Sequence, residues 1–140
     1  MFTSEVSLIA VLVAAIVHMI VGMIWFSPGA FGKAWMKEIG MSASDMKKAK
    51  ESGMGKTMFL GFLAGLVTAY VFSHVMGMAA VTEWQGAVEA AFWTWLGFIA
   101  MTMLGGVLWG KQSVKLFVIT SGYWLVSLAA MGIVLVYWVS

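Results

Sequence analysis

Four long segments without charged residues limit what this 140-residue chain can fold into. The charge-free runs lie at residues 6–32, 57–82, 90–110 and 116–140, and they contain 27, 26, 21 and 25 residues. Because an α-helix rises about 1.5 Å per residue, roughly 20 apolar residues cross the hydrocarbon core of a bilayer. Each run is long enough for one crossing and too short for two. We therefore predict four spans, at about 5–27, 57–78, 87–109 and 116–138.

The composition agrees with a membrane protein, since 62% of the residues are hydrophobic and 10% are charged. Soluble domains have roughly 45–50% apolar and about 25% charged residues. Membrane-spanning strands alternate apolar and polar residues over about 10 positions, and these runs do not alternate. The sequence predicts one all-α domain over residues 1–140, an integral membrane four-helix bundle in contact with the lipid bilayer.

All eight lysines fall in two connections, and the chain has no arginine. Six lysines lie between the first and second spans and two between the third and fourth, whereas the opposite side carries Glu5, Glu83 and Glu89. Lysine-rich connections stay in the cytoplasm, so we expect both termini outside. Interfacial aromatic residues fit the same boundaries: Trp25, Trp35 and Trp109 on the inner side, and Trp84, Tyr137 and Trp138 on the outer side.

Residues 28–56, the elbow, are expected to contain two short helices. Ser27–Pro28 is a helix-start signal and Gly40 a stop. The apolar positions between them have helical spacing, which predicts an amphipathic helix in the inner membrane interface. A second helix is expected from a cap at Ser44, with Asp45 in its first turn, to Gly53. We expect the elbow to be an anchor or, alternatively, a docking surface; its main residues are Trp25, Pro28, Phe31, Lys33 and Trp35.

Small residues recur every four positions in the spans. Close backbone approach at such residues drives helix packing in lipid, so the second and third spans are expected to form a tight antiparallel pair, or alternatively to contact another protomer. In the second span the stripe is Gly61, Gly65, Ala69, Ser73 and Gly77. In the third it is Gly86, Ala90, Thr94, Thr102, Gly106 and Gly110.

Two histidines lie inside the predicted spans. Ionisable groups in a membrane are costly and suggest function. His18, near mid-depth, is therefore either part of a proton or ion path or a neutral residue bonded to a neighbouring helix. His74 lies one turn from Tyr70 in the outer half of the second span. A His74–Glu89 contact is expected there, either in a polar path or as a structural pair.

Motifs for chemistry are missing from the sequence. It has no phosphate-binding glycine loop, no histidine pair at metal spacing and no nucleophile beside a base. Without arginine, a nucleic-acid surface is not expected. We expect no enzyme activity, no metal and no cofactor.

The segments Trp25-Phe-Ser-Pro28 and Phe31-Gly-Lys-Ala-Trp-Met-Lys37 resemble the elbow of a bacterial membrane protein family of unknown function, DUF1761. The stretch Ile119-Thr-Ser-Gly-Tyr-Trp-Leu-Val126, followed by Met131-Gly-Ile133, is similar to the final span of that family. The resemblance implies a small multi-pass protein of the bacterial inner membrane, and it supplies no substrate or catalytic residue.

The sequence leaves two functional classes. The first is an accessory or structural protein that binds lipid or a membrane-protein partner. The second is a small oligomeric channel or ion-linked permeation protein that uses His18 and the His74–Glu89 pair.

Overall fold

The computed structural model describes the backbone of residues 6–139 and the side chains of residues 6–137. The predicted roles of Glu5 and Trp138 lie outside the described residues. The helices are α1 (Leu8–Trp25), α2 (Gly32–Ile39), α3 (Ala43–Glu51), α4 (Gly55–Met78), α5 (Trp84–Thr94), α6 (Met101–Leu108) and α7 (Val114–Val139). A π-helical segment, Trp95–Ala100, joins α5 to α6. All the regular structure in the described part is helical, as predicted.

Within residues 6–139, four helical units are long and apolar enough to cross a membrane. They are α1, α4, the continuous unit Trp84–Leu108 and α7, here called the first to fourth spans. The number of spans is as predicted, and the boundaries agree to within about three residues. The bundle has a lysine-rich end, where the elbow and the α6–α7 connection lie, and an acidic end, which carries Glu83 and Glu89.

The first and fourth spans form the centre of the bundle. The first span packs against the second and fourth spans, and the third packs mainly against the fourth. The core includes Ala14 from α1, Ala69 from α4, Ala91 from α5 and Leu128 from α7. In the most apolar 18-residue window of each span, 44% of the fourth span is buried, whereas only 11% of the third is. The third span is therefore the most exposed part of the bundle.

The predicted tight pairing of the second and third spans is wrong. These spans converge on Gly132 of α7, where an added Cβ would lie 3.0 Å from Phe72 of α4 and 3.4 Å from Ala87 of α5. Elsewhere α7 separates them, and a groove opens between them. The physical reason is that the fourth span has an apolar face with small residues, and the second and third spans both pack against this face instead of against each other.

The elbow contains two helices, with starting points that differ from the prediction. The chain turns sharply after α1, because the carbonyl oxygen of Trp25 accepts a hydrogen bond from the Phe31 amide and that of Ser27 accepts one from the Gly32 amide. The α2 helix therefore begins at Gly32 rather than at Pro28. A Cβ at position 32 would overlap the Phe26 carbonyl oxygen, so the turn requires glycine there.

The second elbow helix, α3, is capped by Ser42 and not by the predicted Ser44. The Ser42 hydroxyl accepts a hydrogen bond from the Asp45 amide at 3.1 Å, and the Asp45 carboxylate accepts one from the Ser42 amide at 3.0 Å. This reciprocal arrangement is a capping box. Gly40 and Gly53 have positive φ angles of 72° and 93°, consistent with their predicted roles as stops.

The π segment changes which residues of the third span face the bundle. A π turn contains about one residue more than an α turn, so each residue after it is rotated by about 100° from the position that an unbroken α-helix of the same sequence would give it. This rotation brings Ile99 close to the line of Ala87 and Ala91, which are fully buried, and Ile99 packs against the same core.

Candidate functional site

A polar cluster lies in the apolar interior, between the first and fourth spans. The His18 ring, which is 5% exposed, is hydrogen-bonded through Nδ1 to the Ser127 hydroxyl at 2.5 Å. The Tyr123 hydroxyl lies 3.2 Å from each ring nitrogen of His18, and it also donates to the His18 carbonyl oxygen at 3.3 Å. We call these three residues the histidine cluster. It satisfies the ring within the protein, which matches the structural alternative considered for His18.

Glycines allow the helices to approach the histidine cluster closely. A Cβ added at Gly65 of α4 would lie 2.9 Å from Cδ2 of His18, and one added at Gly22 would lie 3.1 Å from the Tyr123 hydroxyl. The ring of Trp124 closes another side, with its centroid 5.0 Å from that of His18. The histidine cluster is therefore sealed by contacts from the first, second and fourth spans.

Aromatic rings connect the histidine cluster to the elbow. Tyr123 meets Phe26 edge to face at a centroid distance of 5.2 Å, and Phe26 meets Trp35 of α2 in the same way at 5.2 Å. On the neighbouring face, Phe31 lies 4.6 Å from Trp25, whose indole N–H donates to the Ile119 carbonyl oxygen at 3.0 Å. The elbow aromatics thus contact the lysine-rich end of the bundle itself.

A polar contact also holds the elbow in place. The Ser113 hydroxyl donates to the Glu38 carboxylate of α2 at 2.7 Å and accepts from the Leu116 amide at 3.0 Å. Ser113 therefore caps α7 and binds α2 with the same oxygen. All eight lysines are exposed, including Lys33 and Lys37 on α2. The α2 helix presents Lys33 and Lys37 from a fixed position on the bundle.

An apolar groove lies between the second and third spans and extends from the middle of the second span towards its acidic end. Val67, Val71 and Val75 line one wall, Phe98 and Met103 line the other, and Trp124 lies at its base. Its volume is about 490 Å³. We call this feature the interspan groove. Sequence reasoning missed it, because only the separation of the two spans creates it.

The second histidine has different surroundings. His74 is half-buried, and its ring meets Tyr70 edge to face at a centroid distance of 4.8 Å. Glu89 is exposed and lines a recess of about 440 Å³ at the acidic end, together with Glu83 and Trp93. The structure thus brings Tyr70 to His74, whereas the His74–Glu89 contact stays a prediction. Among the described residues, no group of three or more potential metal ligands occurs.

The predicted stripes of small residues are used only in part. Gly65, Ala69 and Ser73 are buried, but Gly61 has open space beside it and Gly77 is exposed. In the third span, Cβ atoms at Gly106 and Gly110 would meet Gln112 and the Gly106 backbone, so these glycines shape the end of the span. The buried alanines there, Ala87 and Ala91, lie one position along the chain from the predicted stripe.

The fold and the sealed histidine cluster define a class of protein, the multi-pass helical membrane proteins with a polar centre inside an apolar bundle. Within this class the chain belongs to the family described as Protein of unknown function (DUF1761), whose model matches residues 9–136. This is the family that the elbow and final-span motifs suggested. Comparisons with curated proteins and with solved structures gave no match.

Proposed function

We propose that the protein is an accessory membrane protein that acts by binding, and that its elbow holds anionic lipid headgroups at the cytoplasmic surface. The observation that carries this proposal is the fixed position of α2. Trp35 packs on Phe26 and Glu38 binds Ser113, so the exposed Lys33 and Lys37 project from a rigid support. Clusters of lysine beside membrane spans attract anionic lipids.

The proposal includes an orientation and a location. The lysine-rich end faces the cytoplasm, and both termini lie outside. The protein is located in the inner membrane of a bacterium. The uneven distribution of lysine supports this orientation. A partner that binds the elbow would be a membrane protein or a second copy of the chain, and the exposed third span offers further apolar surface to either.

Lipid binding is tested by purifying the protein from bilayers that contain equal amounts of an anionic and a zwitterionic phospholipid. Native mass spectrometry then gives the ratio of the two retained lipids. Anionic lipid should be enriched in the wild type, and the double variant Lys33→Gln, Lys37→Gln should lose the enrichment. The variant Lys111→Gln, Lys115→Gln has the same charge change on the other connection and is the matched control. Equal enrichment in all three proteins would refute the proposal.

A permeation role is the second candidate, and it rests on the single observation that an ionisable side chain lies inside the first span. The hydrogen bonds and ring contacts around His18 support a packing role instead. Proton and cation flux into proteoliposomes separates the two. We expect equally low flux for the wild type and for His18→Ala. A wild-type flux that the substitution abolishes would establish the permeation role.

A further inference from the structure

We infer that the interspan groove holds the hydrocarbon chain of a bilayer lipid. The groove is a different surface from the elbow, so this inference goes beyond the proposed function and does not depend on it. It extends from the middle of the second span towards its acidic end and opens sideways between the second and third spans. At that depth in a membrane the surrounding medium is hydrocarbon.

The walls of the groove suit an apolar chain and not a polar molecule. Apart from threonines, all the lining side chains are apolar or aromatic. The hydroxyls of Thr68 and Thr102 donate at 2.8 Å to the carbonyl oxygens of Ala64 and Phe98 in their own helices. These two hydroxyl donors are therefore used within the protein, and the groove offers methyl and ring surfaces to an occupant.

The size of the groove favours a single chain over a helix. A three-turn helix about 10 Å wide and 16 Å long occupies on the order of 1,300 Å³, whereas the groove has about 490 Å³. Small-molecule sites range from about 300 to 1,000 Å³. Helices also approach one another at small residues in lipid, and the walls here carry bulky side chains such as Val71, Phe98 and Met103. A second copy of the chain is therefore the weaker occupant.

One wall of the groove includes a residue of the π segment, and the base of the groove lies against the histidine cluster. Phe98, which is 77% exposed, belongs to the π segment, and such segments are frequent at functional sites. Trp124 separates the groove from the histidine cluster, because its ring lines the groove and also packs against His18. A chain in the groove would therefore contact the residue that seals the histidine cluster.

The experiment uses phosphatidylcholine with a photoactivatable diazirine in the middle of one acyl chain. This lipid is zwitterionic, so binding at the elbow contributes little. The full-length protein is reconstituted with the lipid, washed into detergent, irradiated and mapped by peptide mass spectrometry. We expect adducts on groove residues that survive the wash. Val71→Trp and Thr102→Phe fill the groove from opposite walls, and each should lower the adduct yield about tenfold.

Two control variants show whether a loss of adduct is specific to the groove. Ile20→Trp introduces the same side chain as Val71→Trp on the exposed side of α1 and should leave the yield unchanged. The elbow variant Lys33→Gln, Lys37→Gln should also retain the adduct, so failure of the proposed function and failure of this inference are distinguishable. The inference is overturned by wild-type protein that carries no adduct after the wash, as expected if a second copy covered the groove, or by equal yields in folded filling variants.

Discussion

At the scale of single residues, Gly65 of α4 faces the His18 ring, and an added Cβ there would lie 2.9 Å from Cδ2 of that ring. The His18 ring is held by Ser127, Tyr123 and Trp124 on its other sides, so it has little room to move away from α4. Glycine is therefore needed at position 65 because it is small. Its backbone is helical, so its conformation alone does not require glycine. Gly61, one turn earlier in the same helix, has open space beside it.

These two glycines give a matched pair of substitutions. Gly65→Ala should lower the free energy of unfolding by about 1–3 kcal/mol, because the new methyl group would overlap the His18 ring. Gly61→Ala should be neutral or stabilising by up to about 1 kcal/mol, since alanine favours the helix. Denaturant unfolding in detergent micelles, followed by circular dichroism, measures both. Equal effects of the two substitutions would show that α1 and α4 are not in close contact at His18.

At the scale of helices, the sequence predicted each span because length and hydropathy are local properties. It also predicted the glycine stops of the elbow, because left-handed backbone conformations strongly favour glycine. It did not distinguish Ser42 from Ser44 as the cap of α3. Both are serines with helix-forming residues after them, and only the reciprocal hydrogen bonds with Asp45 decide between them.

The capping box makes the start of α3 sensitive to acid. The hydrogen bonds from the Ser42 amide and hydroxyl lower the pKa of Asp45 below its usual value. A carboxyl with a lowered pKa in the folded state stabilises that state above its usual pKa, and the contribution is lost as the pH falls through the lowered pKa. We therefore expect the α3 amide signals in NMR spectra to shift towards coil values below about pH 4. Asp45→Asn should remove this dependence. An acid-induced change that persists in Asp45→Asn would assign it to another group.

The hydrogen bond between Glu38 and Ser113 should keep α2 on the bundle. Glu38→Ala removes it, and a net loss of about 1 kcal/mol would increase hydrogen exchange of the α2 amides about fivefold. Exchange in the four spans should not change. Glu51→Ala removes the same charge from an exposed position in α3 and is the control. If both variants exchange alike in α2, the aromatic contacts alone hold the elbow.

At the scale of the whole molecule, the sequence could not predict which spans are neighbours. The short connection between the second and third spans suggested a pair, but chain connectivity places only their ends together. The fourth span packs between Phe72 and Ala87 at Gly132, and this depends on three surfaces that are distant in sequence. The partners of His18 were missed for the same reason, since Tyr123 and Ser127 lie more than 100 residues away. The spacing of Tyr123 and Ser127, one helical turn apart, was the available signal.

The proposed orientation can be measured cleanly because the chain contains no cysteine. Lys47→Cys in α3 and Gln85→Cys at the acidic end give two single-cysteine proteins, and both positions are exposed. With a membrane-impermeant maleimide added to intact cells, we expect labelling of Gln85→Cys alone, and labelling of both after the cells are opened. The reverse pattern in intact cells would invert the proposed orientation.

The π segment allows the third span to contain one residue more than an unbroken α-helix, and it contributes Phe98 to the wall of the interspan groove. Deleting Gly97 from Trp95–Ala100 would leave room for an unbroken α-helix that is still long enough to cross a bilayer. Because a π turn accommodates one extra residue, the residues after the deletion would keep their orientation and Ile99 would stay in the core. The change would be confined to the π segment, which supplies Phe98 to the groove wall. Relatives one residue shorter at this point would keep the four-helix framework and its core, and would differ in the wall of the interspan groove.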